Sequence, residues 1–312
     1  MTLKELYDFV VKEGINADPR GKPAVEKTLA RTKKVYQDLD KKAKDEFDQE
    51  KLVNPYGDTR ILFGGLEQKI QTILIGIDIS GEELLLADKL NEKGRKIDLV
   101  MSHHPQGRAL AALSDVMHIQ TELLRNLGVP INVAEALMAE RIDEVRRRVM
   151  PANHRRPVDV ARLLNLPFMC CHTPADNHVA GYLQERMDKE KPETLQEVVD
   201  LLKSIEEYKI AAEEKAGPRI IAGSPRSQSG KIFVDMTGGT EGSKDIFQKL
   251  AQAGVGTIVA MHLSEEHFQK VKAEHINAII AGHIGSDTLG LNLLLDKLEK
   301  KQKMDRAARA RP

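Results

Sequence analysis

Residues 69–104, "KIQTILIGIDISGEELLLADKLNEKGRKIDLVMSHH", decide how the rest of the chain is read. The run through "ILIGIDI" is apolar and rich in branched residues, which suits a buried strand. "GEELLLADKLNEKG" follows with helical spacing and a glycine stop at Gly94. "KIDLVMSH" is a second strand, closed by Pro105. Strand, helix and strand within so few residues form a parallel unit with a helical crossover. The cycle recurs near the C-terminus: strand "KIFVDM", helix "SKDIFQKLAQAG", strand "GTIVAMH", helix "SEEHFQKVKAEH", strand "INAIIAGH", helix "SDTLGLNLLLDKLEK". Continuous apolar strands alternating with helices predict an α/β fold, mostly parallel sheets flanked by helices.

Working outward, the first 60 residues predict a helical N-terminal segment. "TLKELYDFVVKEG" places Leu3, Leu6, Tyr7, Val10 and Val11 on one face. A second helix is predicted through "KPAVEKTLARTKKVYQDLDKKAKDEF", with Pro23 in its first turn. "NPYGDTRILFGG" gathers Pro, Gly and Asn and reads as a loop. Residues 61–312 form the predicted α/β domain, with a helical insertion at about 109–166 and a return to strand at "LPFMCCHT". The tail "KKQKMDRAARARP" is basic and polar, and fraying is expected there. Residues 75–104 and 233–262 echo each other as strand, Asp, turn, helix, strand, His. Duplication would produce that, and so would the general likeness of any two such units.

Composition narrows the function. Lys plus Arg and Asp plus Glu each total 47, so the formal net charge is zero and broad nucleic-acid binding is disfavoured. The longest apolar run, "QTILIGIDI", is too short for a membrane span. The two cysteines, Cys170 and Cys171, are adjacent, a poor geometry for pairing, and a disulfide scaffold is excluded. A cytoplasmic protein is expected.

Chemistry is sought beyond the carboxyl ends of the strands, where open parallel sheets bind ligands. Histidines recur there: His103 and His104 after one strand, His172 after another, then His262 and His283. Asp176 and Asp287 follow His172 and His283 by four residues. Imidazole and carboxylate suit Zn, Mn, Fe or Ni. Adjacent histidines at a turn can splay toward two divalent ions, with the aspartates bridging, as in hydrolytic centres. His103, His104, Asp176, His283 and Asp287 are therefore the candidate metal ligands. His172 is a candidate direct ligand, ligand-orienting or proton-carrying residue, and His262 a proton carrier or an ordinary loop histidine. His118, His154, His178, His267 and His275 are expected at the surface. Gly238, Gly239 and Gly242 before a helix, and Arg146–Arg148 with Arg155 and Arg156, could serve a nucleotide's phosphates; a tight turn and a solvated helix face explain them more simply. No G-x-S-x-G or H-E-x-x-H motif occurs.

"SHHP", "HTPAD" and "AGHIGSD" in this order resemble the NIF-three-like family, the GTP cyclohydrolase I type 2-like proteins. The resemblance covers about residues 55–300 and loosely includes "NPYGDTRILFGG". It implies an α/β fold with a dinuclear centre held by His103, His104, Asp176, His283 and Asp287, the last where Glu is usual. It also implies a homo-oligomer, a hexamer among the forms. The activity expected is that of a metal-dependent hydrolase acting on a small-molecule substrate, with a nucleotide as one candidate. A non-enzymatic metal-binding or partner-binding protein is the alternative.

Overall fold

The computed structural model describes residues 1–301. It is a mixed α/β protein built on two four-stranded sheets. The first holds β1 (Arg60–Phe63), β2 (Ile73–Gly76), β3 (Leu99–Ser102) and β4 (Phe168–Cys170), in the order β1-β4-β3-β2. The second holds β5 (Arg219–Ala222), β6 (Lys231–Asp235), β7 (Val255–Ala260) and β8 (Asn277–Ile280), in the order β5-β8-β7-β6. In each sheet three strands run parallel, and the first strand pairs antiparallel with the last. The same order and the same reversed edge in both sheets go beyond a generic likeness of βαβ units. The registers align Gly76–Ser102–Cys170 with Asp235–Ala260–Ile280, so His262 corresponds to His104 rather than His103.

The six apolar strands expected from the sequence are present, and β1 and β5 are additions. β1 lies inside "NPYGDTRILFGG", which reads as a loop because turn residues flank four strand residues. Its Arg60 looks like a surface residue, yet it is buried and ion-paired with Asp48 and Glu50. Such a pair makes a buried guanidinium tolerable. The N-terminal helices are α1 (Leu3–Asn16), α2 (Lys22–Asp38) and α3 (Lys41–Glu46). The single second helix expected is thus broken: Leu39 is extended, and the Asp40 side chain caps α3 by accepting from the Ala43 N–H. The apolar face of α1 packs against Leu99, Met101 and Met169 of the first sheet.

α4 (Gly81–Glu92) crosses from β2 to β3. Between β3 and β4 the chain forms α5 (Gly107–Ala111), α6 (Leu113–Val116), α7 (His118–Leu127), α8 (Ile131–Val149) and α9 (Arg156–Leu163). This helical excursion leaves its own half. Leu124, Met138 and Ile142 join Phe233, Phe247 and Leu250 in the core of the second sheet, whereas α9 returns to pack beside α4. The second half carries α11 (Leu195–Lys203), α12 (Glu206–Glu213), α13 (Phe247–Gln252) and α14 (Glu265–Ala273). Two long helices, α10 (Thr173–Glu190) after β4 and α15 (His283–Lys301) after β8, pack against each other between the halves. Gly290 lets them close, since a Cβ there would lie 2.5 Å from the Ala175 carbonyl oxygen.

Two expected surface residues are buried. The ring of His178 donates from Nδ1 to the Pro174 carbonyl one turn back in α10, and burial lowers its pKa to about 4. His267 bonds Ser264 and the Gly242 carbonyl. Cys170 and Cys171 are free and buried. Of the tail expected to fray, Lys300 and Lys301 end the last helix, and the rest lies outside the described residues.

Candidate metal centre

β3 ends at Ser102 because Pro105 and Gln106 turn the chain. The ladder nevertheless persists through both histidines: the His103 N–H donates to Gly76 and that of His104 to Ile77, each at 2.9 Å. Two successive N–H groups bonded to one neighbouring strand break the strand's regular alternation, and the two rings come to lie side by side, their centroids 5.3 Å apart. His103 is wholly buried, and Nδ1 donates to the Cys171 carbonyl at 3.0 Å. His104 is partly open, and Nδ1 meets Asp78 Oδ1 at 2.7 Å. His172, at the start of α10, donates from Nδ1 to Asp58 Oδ2 at 2.8 Å. Asp58 is fully buried and also accepts from the Thr173 hydroxyl. Each of the three rings therefore spends Nδ1 on an outer acceptor, which fixes the tautomer and frees Nε2 to point inward.

The inward atoms converge. His103 Nε2 lies 3.4 Å from Asp176 Oδ1 and 3.4 Å from Asp287 Oδ1. Asp287 Oδ2 lies 3.3 Å from His104 Nε2 and 3.5 Å from His283 Nε2. His172 Nε2 is 3.7 Å from Asp176 Oδ2. Asp176 stands in the first turn of α10, where the helix N-terminus favours anions. His283 opens α15 and sits one turn before Asp287, so the two share a helix face. Asp is shorter than the Glu usual in the resembled family, yet its two oxygens still reach both histidine groups.

His103 Nε2, Asp176 Oδ1 and both Asp287 oxygens are buried without a hydrogen-bond partner. Buried polar atoms are seldom left so, and a cation supplies what they lack. Three triads have ligand atoms within 4.8 Å of one another: His103–His104–His172, His104–His283–Asp287 and His103–Asp176–Asp287. These groups could hold a metal ion. The field within the cluster is strong. Burial disfavours the charged ring of His103, but Asp287 and Asp176 outweigh it and hold its pKa well above the ordinary value. Burial also disfavours the Asp287 carboxylate, yet His103 and its neighbours hold its pKa far below the usual range.

The cluster forms one wall of a cavity of 430 Å³ between the two halves. Leu110, Leu113, Leu123 and Leu124 of the helical excursion form another wall. The excursion therefore shapes the entrance, as the long β3–β4 spacing suggests. His262 faces the same space, its ring 4.8 Å from that of His283. The Glu241 carboxylate, an acceptor facing His262 Nδ1 at 3.4 Å, raises the His262 pKa. The Arg146–Arg148 run lies outside the cavity lining: Arg146 pairs with Asp143 and Arg148 with Glu144 on a solvated face of α8. Gly238, Gly239 and Gly242 pack closely on Gln120 and Val116, which is a tight-turn role.

Sequence reasoning passed over Asp58 and Glu241 and used Asp78 only in the internal echo. Asp58 had one signal, its place in the loop that loosely resembles a family segment. Glu241 had none, because nothing local connects "GGTEG" with His262.

No family model matches the chain, and no curated protein matches it significantly. Solved structures do. A NIF3 superfamily protein from Sphaerobacter thermophilus is 27% identical over 78% of this chain and 88% of its own, with a TM-score of 0.68. Reduced HcgD from Methanocaldococcus jannaschii is 14% identical over 85% of this chain and 93% of its own, with a TM-score of 0.52, a likeness of fold. The paired sheets, the order of "SHHP", "HTPAD" and "AGHIGSD", and the Sphaerobacter likeness lead to one conclusion: in fold and in motif the chain is similar to the NIF-three-like (NIF3) proteins.

Proposed function

We propose that the chain is a metal-dependent hydrolase whose centre takes two divalent ions. One observation carries the reading: the two oxygens of Asp287 are both buried and unbonded, and they face different partners. Oδ1 looks toward His103 and Asp176, and Oδ2 toward His104 and His283. That is the disposition of a carboxylate shared by two cations. His103, Asp176 and Asp287, with His172 adjacent, would hold one ion; His104, His283 and Asp287 would hold the other. Two ions so placed supply Lewis acidity and acidify a water at neutral pH.

The chain's own side chains do the rest. Asp58, Asp78 and the Cys171 carbonyl orient the three rings. The Leu wall excludes bulk water from one side of the cavity, which strengthens every charge interaction within it. His262, held by Glu241 and still open to the cavity, is placed to accept or return a proton beside His283.

Metal content by plasma mass spectrometry tests the centre. About two equivalents per chain, lost in His103→Ala/His104→Ala and in Asp287→Ala, are expected. Absence of metal after reconstitution removes the reading. Two equivalents without hydrolysis of any small substrate leave a non-enzymatic metal-binding protein, the second reading. The homo-oligomer implied by the family is tested on the same samples by light scattering.

A further inference from the structure

The cavity beside the metal centre has a chemical character of its own. Among the described residues, no Lys or Arg lines it. Its walls are mainly aliphatic and aromatic: Leu113 and Leu123 on one side, Phe233, Phe247 and Leu250 on the other. A phosphate entering there would find histidines and backbone, and would also meet two carboxylates. Asp235 ends β6 at the cavity wall, and its side chain makes no hydrogen bond or ion pair with any described residue. Glu241 stands nearby, held by the Ser264 N–H at 2.6 Å and facing His262 at 3.4 Å.

The glycine turn that could have cradled phosphates is already filled. Gln120 donates from Nε2 to the carbonyls of Gly238 and Thr240, at 2.8 and 2.7 Å. Ion pairs on the outer face of α8 occupy Arg146 and Arg148. Apart from the metal centre itself, no group in the lining supplies the bidentate or cationic grip that phosphorylated ligands favour. A carboxylate with no side-chain partner, set beside aliphatic and aromatic walls and next to a second carboxylate, calls instead for a donor of positive charge.

Resting on the metal-centre reading above, we propose that the substrate is a small apolar molecule bearing an amine, not a nucleotide, with the ammonium on Asp235 and the body against the Leu113–Phe247 walls. Asp176 and Asp287 line the same cavity from the other side. A molecule seated this way would place the group distal to its amine at the metal centre.

The test is calorimetric titration of the metal-loaded full chain with three probes: 4-phenylbutylamine, the matched alcohol 4-phenylbutan-1-ol, and GMP. The amine is expected to bind at least about tenfold more tightly than the alcohol, the difference a charge-assisted bond makes. GMP is expected not to bind measurably. Asp235→Asn should erase the preference for the amine while leaving alcohol binding within about twofold. A second variant, Leu113→Glu, should weaken both phenyl probes and keep metal content unchanged. Binding of GMP with no binding of the amine overturns the proposal, as does an amine preference that survives Asp235→Asn. Metal content, measured on every sample, separates the two readings. An amine preference in a chain that takes up no metal keeps the ligand class and removes the hydrolase.

Discussion

Replacing Gly290 by Ala tests whether the closeness of α10 and α15 sets the metal centre. A Cβ at this position would lie 2.5 Å from the Ala175 carbonyl oxygen and 3.0 Å from its carbon. Ordinary contact begins near 3.4 Å, so the helices must part by about 0.9 Å. Both contacted atoms are backbone, and neither can swing aside. Ala175 precedes Asp176, and Gly290 lies one turn beyond Asp287. The parting therefore falls directly on the two carboxylates that meet at His103 Nε2. Metal sites tolerate only ~0.2 Å in ligand distance. Two effects on stability compete. Ala gains about 1 kcal/mol over Gly in a helix interior, whereas overpacking costs about 1–3 kcal/mol. The expected net is a loss of about 0–2 kcal/mol, up to several degrees in Tm. Affinity for Zn²⁺ or Mn²⁺, read by competition with a chromogenic chelator, should fall at least ~10–100-fold. Gly65→Ala is the control, because its Cβ would meet nothing within 4 Å. A Gly290→Ala protein with raised Tm and unchanged affinity would refute the claim that helix spacing positions the ligands.

Further outcomes follow from the same geometry. Asp58→Asn removes the carboxylate that fixes His172 and Thr173, and should cost about 10–100-fold in metal affinity; equal affinity for both forms sinks that positioning role. Chelation should lower Tm, and added metal at 100 times its Kd should restore about 2.7 kcal/mol, read by scanning calorimetry against metal concentration. Burial and the nearby Glu241 raise the Asp235 pKa to about 6, against the partial opposition of His262. The folded value then exceeds the unfolded one of about 3.9, so this group's contribution is complete below pH ~4 and is lost as pH rises through about 6. Asp235→Asn should therefore be more stable than the parent by about 1–3 kcal/mol at pH 7 and equal to it near pH 4; denaturant midpoints at the two pH values decide. Arg146→Ala/Arg148→Ala should leave metal content and binding of the phenyl probes unchanged, since both side chains point away from the cavity.

Local pattern determined a good deal by itself. The six apolar strands and the helices between them follow from periodicity, because a strand covered on both faces must be apolar throughout. β3 illustrates this, since all four of its residues are buried. The histidines at strand ends were legible for a topological reason: parallel strands deliver their last residues to one edge. The family resemblance came from the same short motifs. β1 was not legible, because its pairing with β4 lies more than 100 residues along the chain and its buried Arg60 needs partners that sequence cannot supply. Burial of His178 and His267 escaped for the same reason, as did the roles of Asp58 and Glu241.

Only the tertiary structure decided what the candidate ligands share. Residues 103, 104 and 176 come from the first half, and 283 and 287 from the second. They meet because α10 and α15 pack at the closeness that Gly290 permits. The helical excursion likewise reads as an insertion in sequence, yet in space it builds a wall of the other half's cavity. Sequence fixes periodicity and chemistry within a few residues. Which distant groups face one another, and whether a carboxylate keeps a partner, depends on packing between elements.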